Sequence, residues 1–244
     1  MTYNVHSCVC SDRRCDVARV AAVIAHEKPD IVALQELDVG RTRTGGVDQA
    51  HQIAARLGMG FYFHPTVQVA EERYGDALLT ALPMTVVRSA ALPTLRQVRG
   101  LEPRGAIWAR IEVEGGTLNV INTHLGLVPL EQKGQAACLL GKDWLASADC
   151  TDPTLMLGDF NATSRYACYG QLTGRLRDAQ RVLQQQQGSS GRAIPTFPSR
   201  FPVLRIDHVF VSEGIEVLDV RVPDGPQARA ASDHLPLVVD IRLK

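Results

Sequence analysis

Short apolar runs, each closed by a polar or charged residue, recur along the chain and set its organisation. Leu155-Met156-Leu157 runs into Gly158-Asp159-Phe160-Asn161, and Ser232-Asp233-His234-Leu235-Pro236 runs into Leu237-Val238-Val239. Runs of this length, bounded by Gly or Pro, read as buried strands. The same pattern predicts strands over 2–6, 31–34, 60–65, 77–81, 85–91, 106–113, 117–123, 154–157, 206–211, 216–222 and 237–241. A helical stripe, Val17, Val20, Ala21 and Ile24, predicts a helix over 16–28 with Asp16 as N-cap. Two more helices are expected, over 48–57 closed by Gly58 and over 130–146, and Gly115-Gly116 reads as a hairpin turn. The glutamine-rich stretch 184–191 reads as a surface loop.

Strand runs joined by hairpins favour mixed or antiparallel sheets with helices outside. Two sheets packed face to face, flanked by helices, would bury all these runs. That is an α/β architecture, expected as a single domain over 1–244.

Composition narrows the function classes. The chain has 244 residues, 45% hydrophobic, and 26 basic against 26 acidic side chains, so its formal net charge is zero. That is enough chain for a full core, and no global basic field draws it to nucleic acid. No segment approaches the ~18 apolar residues of a membrane span, and Met1-Thr2-Tyr3-Asn4 lacks a signal-type start. A cytoplasmic monomer without an integral membrane segment is expected. Cys8, Cys10 and Cys15 lack paired metal-ligand spacing and read as thiols lining a loop.

The strand-end polar residues carry the candidate chemistry: Asn4, Glu36, His124, Asp159, Asn161, Asp207, Asp233 and His234, with Arg104 beside them. Such groups are costly to bury unless they bond, ionise usefully or hold a metal. A carboxylate with an amide is a hard-oxygen set suited to Mg²⁺ or Mn²⁺. A His beside an Asp, with a second Asp to orient it, suits a general base or an imidazolium facing phosphate. Water is the natural attacker, so metal-assisted hydrolysis of a phosphate ester fits the inventory.

Eight segments, in order, carry a resemblance: Thr2-Tyr3-Asn4-Val5, Leu34-Gln35-Glu36, Tyr74-Gly75-Asp76-Ala77-Leu78-Leu79, Glu102-Pro103-Arg104-Gly105, Asn122-Thr123-His124-Leu125, Gly158-Asp159-Phe160-Asn161, Arg205-Ile206-Asp207-His208 and Ser232-Asp233-His234-Leu235-Pro236. Together they resemble the endonuclease/exonuclease/phosphatase superfamily. The resemblance implies a four-layer α/β sandwich of the deoxyribonuclease I type, with its site where the two sheets open. It implies Glu36 as main metal ligand with Asn4 near it, and Asp233 beside the metal or its waters. It casts Asp159 as activating or orienting water, Asn161 as holding a phosphate oxygen, and Asp207 with His234 as a dyad. His124 would be a second imidazole for phosphate or leaving group, and Arg104 would neutralise phosphate charge. Asp76 would bond a catalytic partner.

Departures restrict the substrate. Abasic-site endonucleases carry an Asp two residues after the first Asn, where this chain has His6, which argues against DNA repair. The Trp-Cys-Asp-Arg segment of inositol 5-phosphatases is absent, as is the long aromatic hairpin of secreted sphingomyelinases. Arg41 and Arg43 stand just after Glu36, within expected reach of a phosphate. Asn161-Ala162-Thr163 matches a glycosylation sequon, read as coincidence because a glycan would block the site. The expected activity is divalent-metal-dependent hydrolysis of a phosphodiester: nucleic acid, lipid head group or small diester. The alternatives are a phosphomonoesterase on a small or lipid-linked phosphate and a catalytically silent binding module of the same fold.

Overall fold

Alternation inside the apolar runs decides the layering. The computed structural model describes residues 1–95, 97–188 and 193–244. In β2 (Ile31–Val39), Val32 and Leu34 face one core while Ala33 faces another. The strand β8 (Thr154–Asp159) turns Leu155 and Leu157 to the second core and Met156 to a third. Strands of period two buried on both faces require a layer against each face.

One sheet runs β1 (Thr2–Asn4), β2, β4 (Glu72–Thr80), β3 (Gly60–Val69). The other runs β5 (Met84–Ala91), β6 (Gly105–Val113), β7 (Gly116–His124), β8, β10 (Asp207–Val211), β9 (Arg177–Asp178). An antiparallel pair, β11 (Ile215–Arg221) with β12 (Val238–Leu243), joins the first sheet through a bridge between Thr2 and Leu237. The helices α1 (Val17–Glu27), α2 (Gln49–Leu57) and α6 (Pro226–Ala231) cover the outside of the first sheet. The second is covered by α3 (Pro129–Leu139) and α4 (Ala167–Thr173). Leu78, Ile107, Val120, Leu157 and Val209 fill the space between the sheets. The expected four-layer α/β sandwich, mixed in strand direction, is the observed architecture.

Local signals explain the boundaries that were legible. Asp16 and Asp48 cap α1 and α2 by accepting the Arg19 and His51 backbone N–H groups, both at 2.9 Å. Gly58 closes α2 at φ +66, a conformation open to Gly without a Cβ penalty.

Three expectations need correction. The third helix stops at Leu139 rather than 146, because the chain turns at Gly141 and brings Trp144 back into the core. The stretch 184–191 is no plain loop at its start: α5 (Ala179–Gln186) runs into it, and 189–191 lie outside the described residues. The short helices α4, α5 and α6 were not anticipated; two turns carry too little periodicity to read. No helix among the described residues is long and apolar enough to cross a membrane.

Candidate active site

Strand register builds half of the site. Parallel pairing of β7 with β8 sets His124 beside Asp159, and antiparallel pairing of β10 with β8 sets Asp207 beside Asp159. Gly158, at φ +151, is required here, since a Cβ would overlap the Thr123 carbonyl oxygen. It lets two strand ends close up directly beneath the three side chains.

A bulge in the other sheet delivers the rest. Between the pairs Leu34–Ala77 and Leu37–Gly75, Gln35 and Glu36 oppose only Asp76. Glu36 takes φ +62 and Asn161 takes φ +48, left-handed values rare for such residues. The buried Asp76 carboxyl stands opposite Glu36 across the bulge, and the Glu36 N–H favours its charged form. Burial pushes that carboxyl up to about 8, opposed by Arg104 and the Glu36 N–H. Gln35 reaches the opposite sheet at Asn122 Oδ1 (2.8 Å), and Asn122 donates back to the Leu34 and Ala77 carbonyls at 3.1 and 2.9 Å. These bonds fix the two sheets to each other under the site.

Asn4 joins the two halves. Its Nδ2 donates to Glu36 Oε1 at 2.8 Å and to Asp159 Oδ2 at 2.9 Å, while its Oδ1 accepts the His6 N–H at 3.0 Å. Expected as a metal ligand, Asn4 here turns nitrogen rather than oxygen toward the carboxylates, and so holds them together. Burial would raise Glu36, yet hydrogen bonds from His6 and Asn4 and the nearby His124 hold it well below the usual carboxylate range. His6 Nδ1 stands 3.6 Å from Glu36 Oε2 and 3.6 Å from Asp233 Oδ2. The sequence marked His6 only as a departure; the fold puts it between the two expected metal-binding carboxylates. Its hydrogen bond with Glu36 raises its pKa, against burial.

His234 and Asp207 form the expected pair, with Nδ1 2.9 Å from Oδ2. The Thr196 hydroxyl donates to the same oxygen at 2.5 Å, and the Phe197 ring lies 4.8 Å from the imidazole. Burial alone would lower His234; Asp207 and Asp159 reverse that and raise it to about 10. Its Nε2 faces Asp159 Oδ2 at 3.6 Å. Burial pushes Asp159 up to about 7, against the His234 cation and with help from Asp207.

His124 is the opposite case. Burial and the Arg104 cation hold it well below its ordinary value, so it is neutral. Arg104 Nη1 lies 3.0 Å from His124 Nδ1 and donates to Glu102 Oε1 at 2.5 Å. A guanidinium has only donors, so Nδ1 accepts and the proton sits on Nε2. That nitrogen faces Asp159 Oδ2 at 3.5 Å, its acceptor, while the nearby Asn161 Nδ2 is itself a donor and bonds the Leu125 carbonyl at 3.0 Å. Arg104, expected against phosphate, thus stands behind His124 and sets its tautomer.

The fold keeps two expected residues apart from this cluster. Arg43 is gripped by both oxygens of the buried Asp38, each at 2.7 Å, and Arg41 lies 3.4 Å from Glu72. Both guanidinium groups are engaged by strand carboxylates, Asp38 on β2 and Glu72 on β4. Thr196 and Phe197 were missed, and Ser232 was read only as part of its motif, with no role. Ser232 donates to the Asn4 carbonyl at 2.8 Å and so anchors the His234 segment to β1. Nothing in the local sequence marks Thr196 and Phe197; only the tertiary fold brings them in.

The donor set suits a hard divalent ion. Glu36 and Asp159 bring carboxylate oxygens within 4.8 Å of each other and of the His124 ring, and Asp233 is 43% exposed beside His6. An ionised carboxylate that stays charged despite burial fits Mg²⁺ or Mn²⁺.

Comparison with known proteins shows the family and the fold. Residues 1–234 match the model of the Endonuclease/Exonuclease/phosphatase family. The uncharacterized protein YbhP of Escherichia coli K12 is 26% identical, covering 100% of this chain and 95% of that protein. A mannosyl-6-phosphatase of Bacteroides thetaiotaomicron superposes with TM-score 0.76 at 18% identity, over 99% of this chain and 98% of that one. The human Nocturnin catalytic domain with bound sulfate superposes with TM-score 0.71 at 23% identity, over 93% of this chain and 85% of that one. With the family match running through every segment of the site, the chain belongs to the endonuclease/exonuclease/phosphatase family of hydrolases.

Proposed function

We propose that the protein is a divalent-metal-dependent hydrolase that cleaves a phosphodiester with water. The observation that carries the reading is Asn4 Nδ2, which holds Glu36 and Asp159 to one donor at 2.8 and 2.9 Å, one carboxylate on each sheet. Glu36 and Asp233 would hold the ion, with His6 between them. When bound, Mg²⁺ or Mn²⁺ would neutralise phosphate oxygen charge and lower the barrier to attack.

The side chains divide the remaining work. Asp159 is the acceptor for a proton of the attacking water. Burial has raised its basicity, and the Asn161 N–H at 2.8 Å orients its other oxygen. His234, kept cationic by Asp207, donates toward the non-bridging oxygen where charge develops in the transition state. Neutral His124 donates from Nε2 to phosphate or leaving group, and the Asn161 amide holds a phosphate oxygen. Electrostatic stabilisation of this kind contributes the largest part, since no covalent intermediate is formed.

A second reading, a phosphomonoesterase, is favoured by the likeness in fold to the mannosyl-6-phosphatase. Rates on bis(4-nitrophenyl) phosphate and 4-nitrophenyl phosphate at equal Mn²⁺ decide between them. Faster cleavage of the diester supports the proposal; faster cleavage of the monoester overturns it. A silent binding module would leave both untouched, and the intact set of charged groups argues against it.

A further inference from the structure

A cavity of about 610 Å³ is walled by chain segments that adjoin the catalytic residues, and its wall contains Arg165, Arg181 and Arg205 but no Asp or Glu among the described residues. That is unusual within this molecule. The cavity between α1 and α6 carries Glu27 and Asp224, and the one under Arg177 carries Asp178.

Three chain segments tie the cavity to the site. Thr163 lies two residues past Asn161, and Arg205 lies two residues before Asp207. Pro195 directly precedes Thr196, whose hydroxyl bonds Asp207 at 2.5 Å. Two residues of chain reach at most about 7 Å, so the backbone of all three segments passes from the cavity wall to a catalytic or supporting residue within that span.

Two of the three charges there are not cancelled. Arg205 is paired with Asp178, and its buried Nε has no partner. Arg181 lies 5.4 Å from the Tyr169 ring centroid, and neither it nor Arg165 pairs with a carboxylate among the described residues. Thr163 and Ser164 add hydroxyl donors to the same wall. Pro195, Val203 and Leu204 make the rest of the wall largely apolar; guanidinium groups and hydroxyls set in such a wall, near a site for one phosphate, match a second phosphate, which guanidinium recognises through paired donors.

We infer that this cavity binds a second phosphate of the substrate, so that the substrate is a phosphoester carrying another phosphate a few bonds from the cleaved one. This rests on the proposed phosphoesterase activity. It turns the neutral overall charge into a local selectivity: a small polyanion is held by a few arginines, without the extended basic track that long nucleic acid needs.

Two substrates with the same leaving group test it: thymidine 5′-(4-nitrophenyl phosphate) with and without a 3′-phosphate. The 3′-phosphate should lower KM about tenfold with kcat unchanged. Arg165→Gln together with Arg181→Gln should remove that advantage and leave the simpler substrate unaffected. Equal KM for both substrates, or equal loss on both in the variant, would overturn the inference. Methylating the 3′-phosphate separates sources: retained advantage assigns the cavity to the internal phosphate of a nucleotide chain, lost advantage to a free terminal phosphate, and either supports a second phosphate site. Failure of catalysis itself is read separately by calorimetry of thymidine 3′,5′-bisphosphate against thymidine 5′-phosphate. Tighter binding of the bisphosphate, abolished in the double variant, sustains the cavity even if turnover fails. Equal binding removes it.

Discussion

His234 and Asp207 meet at 2.9 Å through Nδ1 and Oδ2, which leaves His234 Nε2 aimed at Asp159 Oδ2, 3.6 Å away. One buried carboxylate thus fixes the tautomer and the charge of the imidazole, and the other receives its free nitrogen. The result is a cation with pKa raised to about 10, standing beside a carboxylate raised to about 7. Groups whose environments push their pKa values in useful directions mark acid and base assignments.

The charge on His234 gives the first prediction. A reaction that needs the imidazolium keeps its rate at neutral pH and loses it as pH rises through about 10. Asp207→Asn removes the anion that raises His234, so the basic limb of the pH–rate profile should move to lower pH and kcat should fall about 10²–10⁴-fold. A profile from neutral to alkaline pH on both proteins checks this; an unmoved limb counts against it.

Asn4 is predicted to matter through both carboxylates at once. Asn4→Ala leaves Glu36 Oε1 and Asp159 Oδ2 without their shared donor. Turnover should fall about 10²-fold, and stability by about 1–3 kcal/mol, the cost of unsatisfied buried groups. Kinetics with chemical denaturation on the same protein separate the two effects. A variant that loses stability but keeps wild-type turnover would restrict Asn4 to folding.

His6 should influence which ion is held. Its Nδ1 lies between Glu36 and Asp233, and imidazole nitrogen suits Mn²⁺ better than Mg²⁺. His6→Asp replaces that nitrogen with a third carboxylate. Calorimetry should show the Mn²⁺-to-Mg²⁺ affinity ratio falling by about tenfold; an unchanged ratio would mean His6 does not face the ion.

A pH-dependent stability prediction comes from Asp178, away from the ion. Burial would raise it, but His208 and Arg205 hold it well below the usual carboxylate range, and Tyr169 donates to it at 2.9 Å. A depressed folded pKa means the stabilisation is present above the unfolded value near 3.8 and is lost as pH falls through the folded one. Asp178→Asn should therefore cost about 3 kcal/mol at neutral pH, with the difference from wild type closing below about pH 4. Denaturant melts across that range measure it. A constant difference would place the effect in packing rather than charge.

Much of this was legible in the sequence, for physical reasons. Asp159, Asp207 and His234 end or adjoin apolar runs such as Leu155-Met156-Leu157, and strand register alone brings the two aspartates together. Capping residues Asp16 and Asp48 announced their helices. The misses have causes too. Thr196 and Phe197 reach His234 and Asp207 only through a loop with no periodicity. The four glutamines around 184–187 hid the short apolar stripe of α5. Arg41 and Arg43 looked free in sequence because their partners, Glu72 and the buried Asp38, depend on which strands pair.

The most direct test is hydrolysis of bis(4-nitrophenyl) phosphate by the full chain with Mn²⁺ or Mg²⁺, beside His234→Ala and beside wild type treated with chelator. A metal-dependent phosphodiesterase predicts turnover by the metal-loaded wild type, with loss in the other two samples. Equal turnover in all three, or none in folded, metal-bound wild type, would contradict it.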